Sequence, residues 1–128
     1  MRWAILLAGL SGAVGVGMGA GAAHGFSTRL APDALAWVRT GAEYQLWHSV
    51  LLAAVGLFGA HAKSFTAAAL LLAFGILIFC GSLYVMAFTG MRWLGAVTPF
   101  GGAALIAGWI VLAWAGWRHT AGNSPRIR

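Results

Sequence analysis

A chain of 128 residues that is 61% hydrophobic and 8% charged, with a mean hydropathy of +0.85, lacks the polar side chains to cover a water-soluble domain. Its class is integral membrane protein. The net charge of +6 comes from Lys and Arg scattered at segment ends, without the basic cluster that nucleic acid requires, so it reads as membrane topology and lipid-headgroup contact.

The lone cysteine, Cys80, sits inside an apolar run and leaves no intramolecular disulfide. A hydrocarbon core of ~30 Å takes ~20 helical residues to cross. Four stretches free of Lys, Arg, Asp and Glu approach that length, at about 3–23, 44–60, 65–88 and 96–117. Joined by connections of about twenty, five and eight residues, they predict an all-α, antiparallel up-down four-helix bundle forming one transmembrane domain, 1–128.

The first stretch, with Met1-Arg2 before it and Ala20-Gly21-Ala22-Ala23 at its end, also resembles a secretory signal peptide. Its length favours a retained span. Ala8, Gly12, Gly15, Gly19 and Ala22 share one face, the small-residue spacing that lets helices approach closely in lipid. His24-Gly25 closes the span, with Gly25 as a left-handed terminator. Between it and the second span, Pro32 at a first helical position predicts a short helix to Thr40. Leu35, Val38 and Ala42 share one side, so this helix is expected to lie in the interface plane.

Polar residues enter the second span at Tyr44-Gln45-Leu46-Trp47-His48-Ser49. At 100° per residue Tyr44 stacks over His48 and Gln45 over Ser49, and Leu52, Gly56 and Gly59 continue the second side. Such groups are costly in a span unless they face protein or water. A tight turn over Gly59–Ser64 leads to the third span, which ends in Gly81-Ser82-Leu83-Tyr84. Arg92-Trp93 marks the next interface, and Thr98-Pro99 opens the last helix with Thr98 as N-cap. Gly101, Ala104 and Gly108 form its small face, while Trp109, Trp114 and Trp117 read as packing and interfacial anchors.

Arg2, Lys63, Arg118, Arg126 and Arg128 fall on one side of this topology, and Arg29, Arg39 and Arg92 on the other. Both termini are therefore expected to be cytoplasmic. His24, Glu43, Tyr44, His48, Tyr84, Arg92, Thr98, Gly101 and Gly102 then gather at the outer end of the bundle. The start of the fourth span, with free N–H groups and a partial positive charge, would suit an anion there.

The chain resembles the small four-helix membrane proteins known as domain of unknown function 423, or uncharacterised protein family 0382. The residues carrying the resemblance are Gly21-Ala22-Ala23-His24-Gly25, Tyr44-Gln45 with His48, Gly81-Ser82-Leu83-Tyr84, Thr98-Pro99-Phe100-Gly101-Gly102 and Gly108-Trp109. The first family motif usually reads Gly-Ala-Phe-Gly-Ala-His-Gly; here its bulkier part is replaced by glycine and alanine. The resemblance implies a bacterial inner-membrane protein with four helices and no established activity.

Three functional readings follow. A small polar pocket at the outer end, built on the nine residues named above, would bind a lipid-like or anionic ligand. An accessory subunit of a larger membrane complex, or a homo-oligomer, would use the small-residue faces for docking. A metal or haem site would use His24, His48 and Glu43. No second carboxylate accompanies Glu43, and no nucleophile–base pair or phosphate loop is legible, so the expected role is non-enzymatic. His24 and His48 equally suit capping and interhelical hydrogen bonding, and Tyr44 and Tyr84 suit the interface.

Overall fold

A computed structural model describes residues 1–59 and 62–122. Position 60 at the end of the second expected span, His61 in the turn after it, and Arg126 and Arg128 of the charge count lie outside the described residues. Four long helices make up the fold: α1 (Arg2–Ala23), α2 (Pro32–Phe58), α3 (Lys63–Thr89) and α4 (Thr98–Gly122), with a 3-10 turn at Arg92–Ala96 before α4. Among the described residues there is no strand.

Among the described residues, the stretches long and apolar enough to cross a membrane are Arg2–Ala23, Lys63–Thr89 and Arg92–Thr120. Four apolar spans were expected; α2 is equally long but carries Asp33, Arg39, Glu43, Gln45 and His48, which lower its apolar character. The short helix expected at 32–40 and the span expected from 44 are also one continuous helix, Pro32–Phe58. Pro32 stands in its first turn and Asp33 complements the positive end of its dipole. The apolar side of the expected interfacial segment packs on neighbouring helices: Val38 and Ala42 are buried, and Ala34 and Val38 form a cluster with Ala22 of α1 and Ala87 of α3. A buried face of this kind makes the segment part of the helix assembly.

Small residues decide how the helices pack. α1 packs on α2, α2 on α3 and α3 on α4, with only marginal contact between α1 and α3. Ala8, Gly15 and Ala22 on the predicted face of α1 are buried, and Gly12 and Gly19 abut Ser49 and Ala42 of α2. The α3–α4 contact is closer still. A Cβ on Gly101 would lie 2.8 Å from Phe79 Cα and 2.9 Å from the Ile78 carbonyl carbon, and one on Gly75 would lie 2.9 Å from Leu105 N. Such contacts carry association where lipid tails are as apolar as leucine. Around them lies the main core, with Leu52, Leu72 and Cys80 almost fully buried.

Two turns differ from expectation. α1 ends at His24 with ordinary negative φ, and the left-handed glycine is Gly90, with φ 72°, at the end of α3. After α1 the chain folds back through Phe26 N–H to the Gly21 carbonyl at 2.7 Å. The Phe26 ring then occupies the space a side chain at Gly21 would need and meets Phe88 edge-on at 5.1 Å.

Because backbone atoms face Gly101, no side-chain rotation can relieve an added methyl there. Gly101→Ala is expected to cost about 1–3 kcal/mol, read by denaturant unfolding in micelles. Gly17→Ala, with nothing within 4 Å of its Cβ, is expected to leave stability unchanged or slightly higher.

Candidate functional site

The polar residues of α2 divide between two sides of the helix. On one side Gln45 is buried and ties three helices together. Its Oε1 accepts a hydrogen bond from Tyr84 Oη of α3 at 2.6 Å, and its Nε2 donates to Ser11 Oγ of α1 at 3.2 Å. One turn on, Ser49 Oγ donates to the same Ser11 Oγ at 2.7 Å. The Tyr84 ring reaches Gln45 because position 41 has no side chain: a Cβ there would come within 2.7 Å of the ring. The predicted Gln45/Ser49 pairing is therefore used inside the protein, and Leu52 and Gly56 continue the stripe as buried residues. Ser11 was not singled out in the sequence; a lone serine among glycines carries no signal of its partner.

On the other side, Tyr44 and His48 stack with ring centroids 5.9 Å apart, as their spacing predicts, and Tyr44 also packs on Phe79 at 4.8 Å. His48 is buried, its Nδ1 2.6 Å from the Tyr44 carbonyl and its Nε2 3.3 Å from the indole Nε1 of Trp109 on α4. The indole can only donate and the carbonyl can only accept, so the imidazole carries its proton on Nδ1 and accepts at Nε2. Trp109, read from sequence as an anchor, is thus the partner of His48. Its distance along the chain hid the pairing.

Both His48 nitrogens are occupied, and among the described residues no three of His, Cys, Asp and Glu come together to hold a metal ion. His24 lies exposed at the end of α1, where its carbonyl accepts from Ser27 Oγ at 2.9 Å. The structure therefore does not gather His24, Glu43 and His48 into one metal-holding cluster.

The remaining candidates go elsewhere. Arg92, expected as a counter-charge to the pocket, pairs with exposed Asp33 at 3.8 Å and lies 5.5 Å from the Trp37 ring centroid. Thr98 does not serve as an N-cap: it lies inside the first turn of α4, bonds Ser82 Oγ at 2.7 Å and donates to the Leu94 carbonyl at 3.1 Å. The preceding 3-10 turn supplies that carbonyl and moves the cap away. Pro99 has no N–H, and the Phe100 N–H bonds the Val97 carbonyl at 3.1 Å, so the start of α4 offers few donors to an anion. Gly101 and Gly102 serve the α3–α4 contact, Gly102 against the Phe79 ring.

Glu43, Tyr44 and His48 do share a setting. Together with Trp47, Leu51 and Trp109 they line a groove of about 520 Å³ between α2 and α4. Glu43 is exposed and is, among the described residues, the one carboxylate in its lining; Trp47 and Val50 are largely exposed along it.

A family profile described as a protein of unknown function, DUF423, matches residues 18–102. A UPF0382 membrane protein of Haemophilus influenzae is 40% identical over 111 residues, covering 86% of this chain and 90% of the relative. One from Staphylococcus epidermidis is 40% identical over 113 residues, 88% and 93% of the two chains. The UPF0382 inner membrane protein YgdD of Escherichia coli K12 is 36% identical over 115 residues, 87% and 86%. No solved structure matches.

Tyr84→Phe removes one interhelical hydrogen bond and is expected to destabilise by about 0.6 kcal/mol, with about 1.7 kcal/mol as an upper figure. Gln45→Leu, which removes two, is expected to cost more. Denaturant titration in micelles compares the pair.

Proposed function

The chain belongs to the DUF423 family, whose curated relatives are membrane proteins, and from that premise we propose a multi-pass inner-membrane protein whose α2/α4 groove holds a lipid whose head group carries a primary ammonium. In this reading all four helices cross as one antiparallel transmembrane unit. The polar side of α2 is sheltered by its neighbours, and its first turns, around Asp33 and Arg39, stand in the interface. The threading is supported by contacts at both ends. Met1 N bonds the Gly56 carbonyl and Phe65 meets His119 at one end; Phe26 meets Phe88 and Asp33 meets Arg92 at the other. The Lys and Arg distribution supports a cytoplasmic position for both termini.

One observation carries the ligand assignment: an apolar groove open to lipid with a single carboxylate, Glu43, in its wall. An acyl chain would lie along Val50, Leu51 and Ala54, flanked by Trp47 and Trp109, with a primary ammonium at Glu43. Tyr44 and His48 act as a rigid wall, since stacking and two hydrogen bonds hold the imidazole. This reading favours an ammonium-bearing head over a purely anionic one, because the carboxylate attracts the ammonium and the start of α4 has few free donors. The role is binding; no reacting group is required.

Native mass spectrometry with lipids of matched acyl chains tests it. Phosphatidylethanolamine is expected to bind about fivefold better than phosphatidylglycerol, the equivalent of ~1 kcal/mol for one water-screened charge contact. Glu43→Gln is expected to abolish that preference. Equal binding of the two lipids by the unaltered protein would overturn the assignment. Co-migration with a large assembly in mild detergent would favour the accessory-subunit reading instead.

A further inference from the structure

The other side of α2 carries a second groove, of about 630 Å³, with walls from α1 and α3 and Gln45 in its floor. Its chemistry is graded along its length. Ser11, Gln45 and Tyr84 form a polar end, while Trp3 and Leu70 lie at the apolar end, about 12 Å away by the helical rise from position 3 to 11. Among the described residues no Lys, Arg, His, Asp or Glu lines it, in contrast to the groove containing Glu43.

From this geometry we infer a second binding site, for a neutral single-tailed lipophile whose head bears a carbonyl oxygen, the class of the isoprenoid quinones. Three observations define that class. First, the absence of charge in the lining disfavours phospholipid head groups and free carboxylates, which would lie unpaired against apolar walls. Second, the polar end has donors to spare. Ser11 Oγ accepts from both Gln45 and Ser49, so its own proton is not engaged by any described residue, and Gln45 uses only one of its two amide N–H groups. A ligand acceptor matches that surplus. Third, the polarity runs one way along the groove, which sets the head against Ser11 and Gln45 and the tail toward Trp3. The volume falls within the roughly 300–1,000 Å³ usual for small-molecule sites. Because the network already locks Tyr84 and Gln45, the donors are positioned before the ligand arrives.

The test uses the full chain in non-ionic micelles with a photoreactive decyl-benzoquinone, labelled positions being mapped by mass spectrometry. Labelling is expected on α1 and α3, displaced by unlabelled decyl-quinone and not by diacylglycerol. Ala73→Phe, which fills the groove without touching a hydrogen bond, is expected to lower labelling at least tenfold. Ser11→Ala is expected to weaken it about fivefold, the scale of one hydrogen bond. Glu43→Gln, on the opposite side, is expected to leave labelling unchanged, which separates this site from the lipid groove. Labelling spread evenly over all lipid-facing helices, retained in Ala73→Phe, or displaced equally by diacylglycerol would overturn the inference.

Discussion

One buried amide orients the molecule. Gln45 accepts from Tyr84 and donates to Ser11, so it fixes the rotation of α1, α2 and α3 about their axes at once. In an apolar surrounding the alternative to these bonds is an unsatisfied polar group, which makes other rotations unfavourable. Three residues later along the same helix, His48 stands about 60° around the axis from Gln45. There it finds Trp109 of α4. The two polar functions of α2 therefore stand side by side, each facing its own groove.

Why grooves exist at all follows from the packing order. Each helix packs on its chain neighbours, and α4 makes no close backbone contact with α1 or α2 among the described residues. Gly75, Gly101 and Gly108 draw α4 hard against α3, away from α2, and leave the long Trp109 side chain to bridge the difference. On the other side, α1 lies against α2 through Gly12, Gly15 and Gly19 and barely meets α3. Small residues close two interfaces tightly, and the spaces diagonal to them stay open.

Several features were legible because they are local. Helical periodicity gave the Tyr44/His48 and Gln45/Ser49 pairs, the small faces of α1 and α4, and the apolar stretches that became α1, α3 and α4. Others misled for physical reasons. Gly25 has the composition of a left-handed terminator, but Phe26 folds back onto Gly21 and removes the need, while Gly90 takes that conformation instead. Thr98 precedes a proline as a cap would, yet the 3-10 turn before it places a carbonyl within reach of its hydroxyl. Arg92 was assigned to the polar cluster, but Asp33 and Trp37 at the start of α2 hold it.

Composition alone determined that this chain belongs in a membrane, since ten charged residues in 128 cannot hydrate a globular surface. Periodicity determined which residues share a helix face, because the 3.6-residue repeat depends on nothing beyond the chain's own geometry. Only the tertiary structure decided that α2 is one helix through residues 32–58, that Ser11 and Trp109 complete the polar contacts, and that two grooves of unlike charge flank α2. Those are pairings between distant segments, set by which surfaces fit closely enough to exclude lipid. No local repeat encodes them.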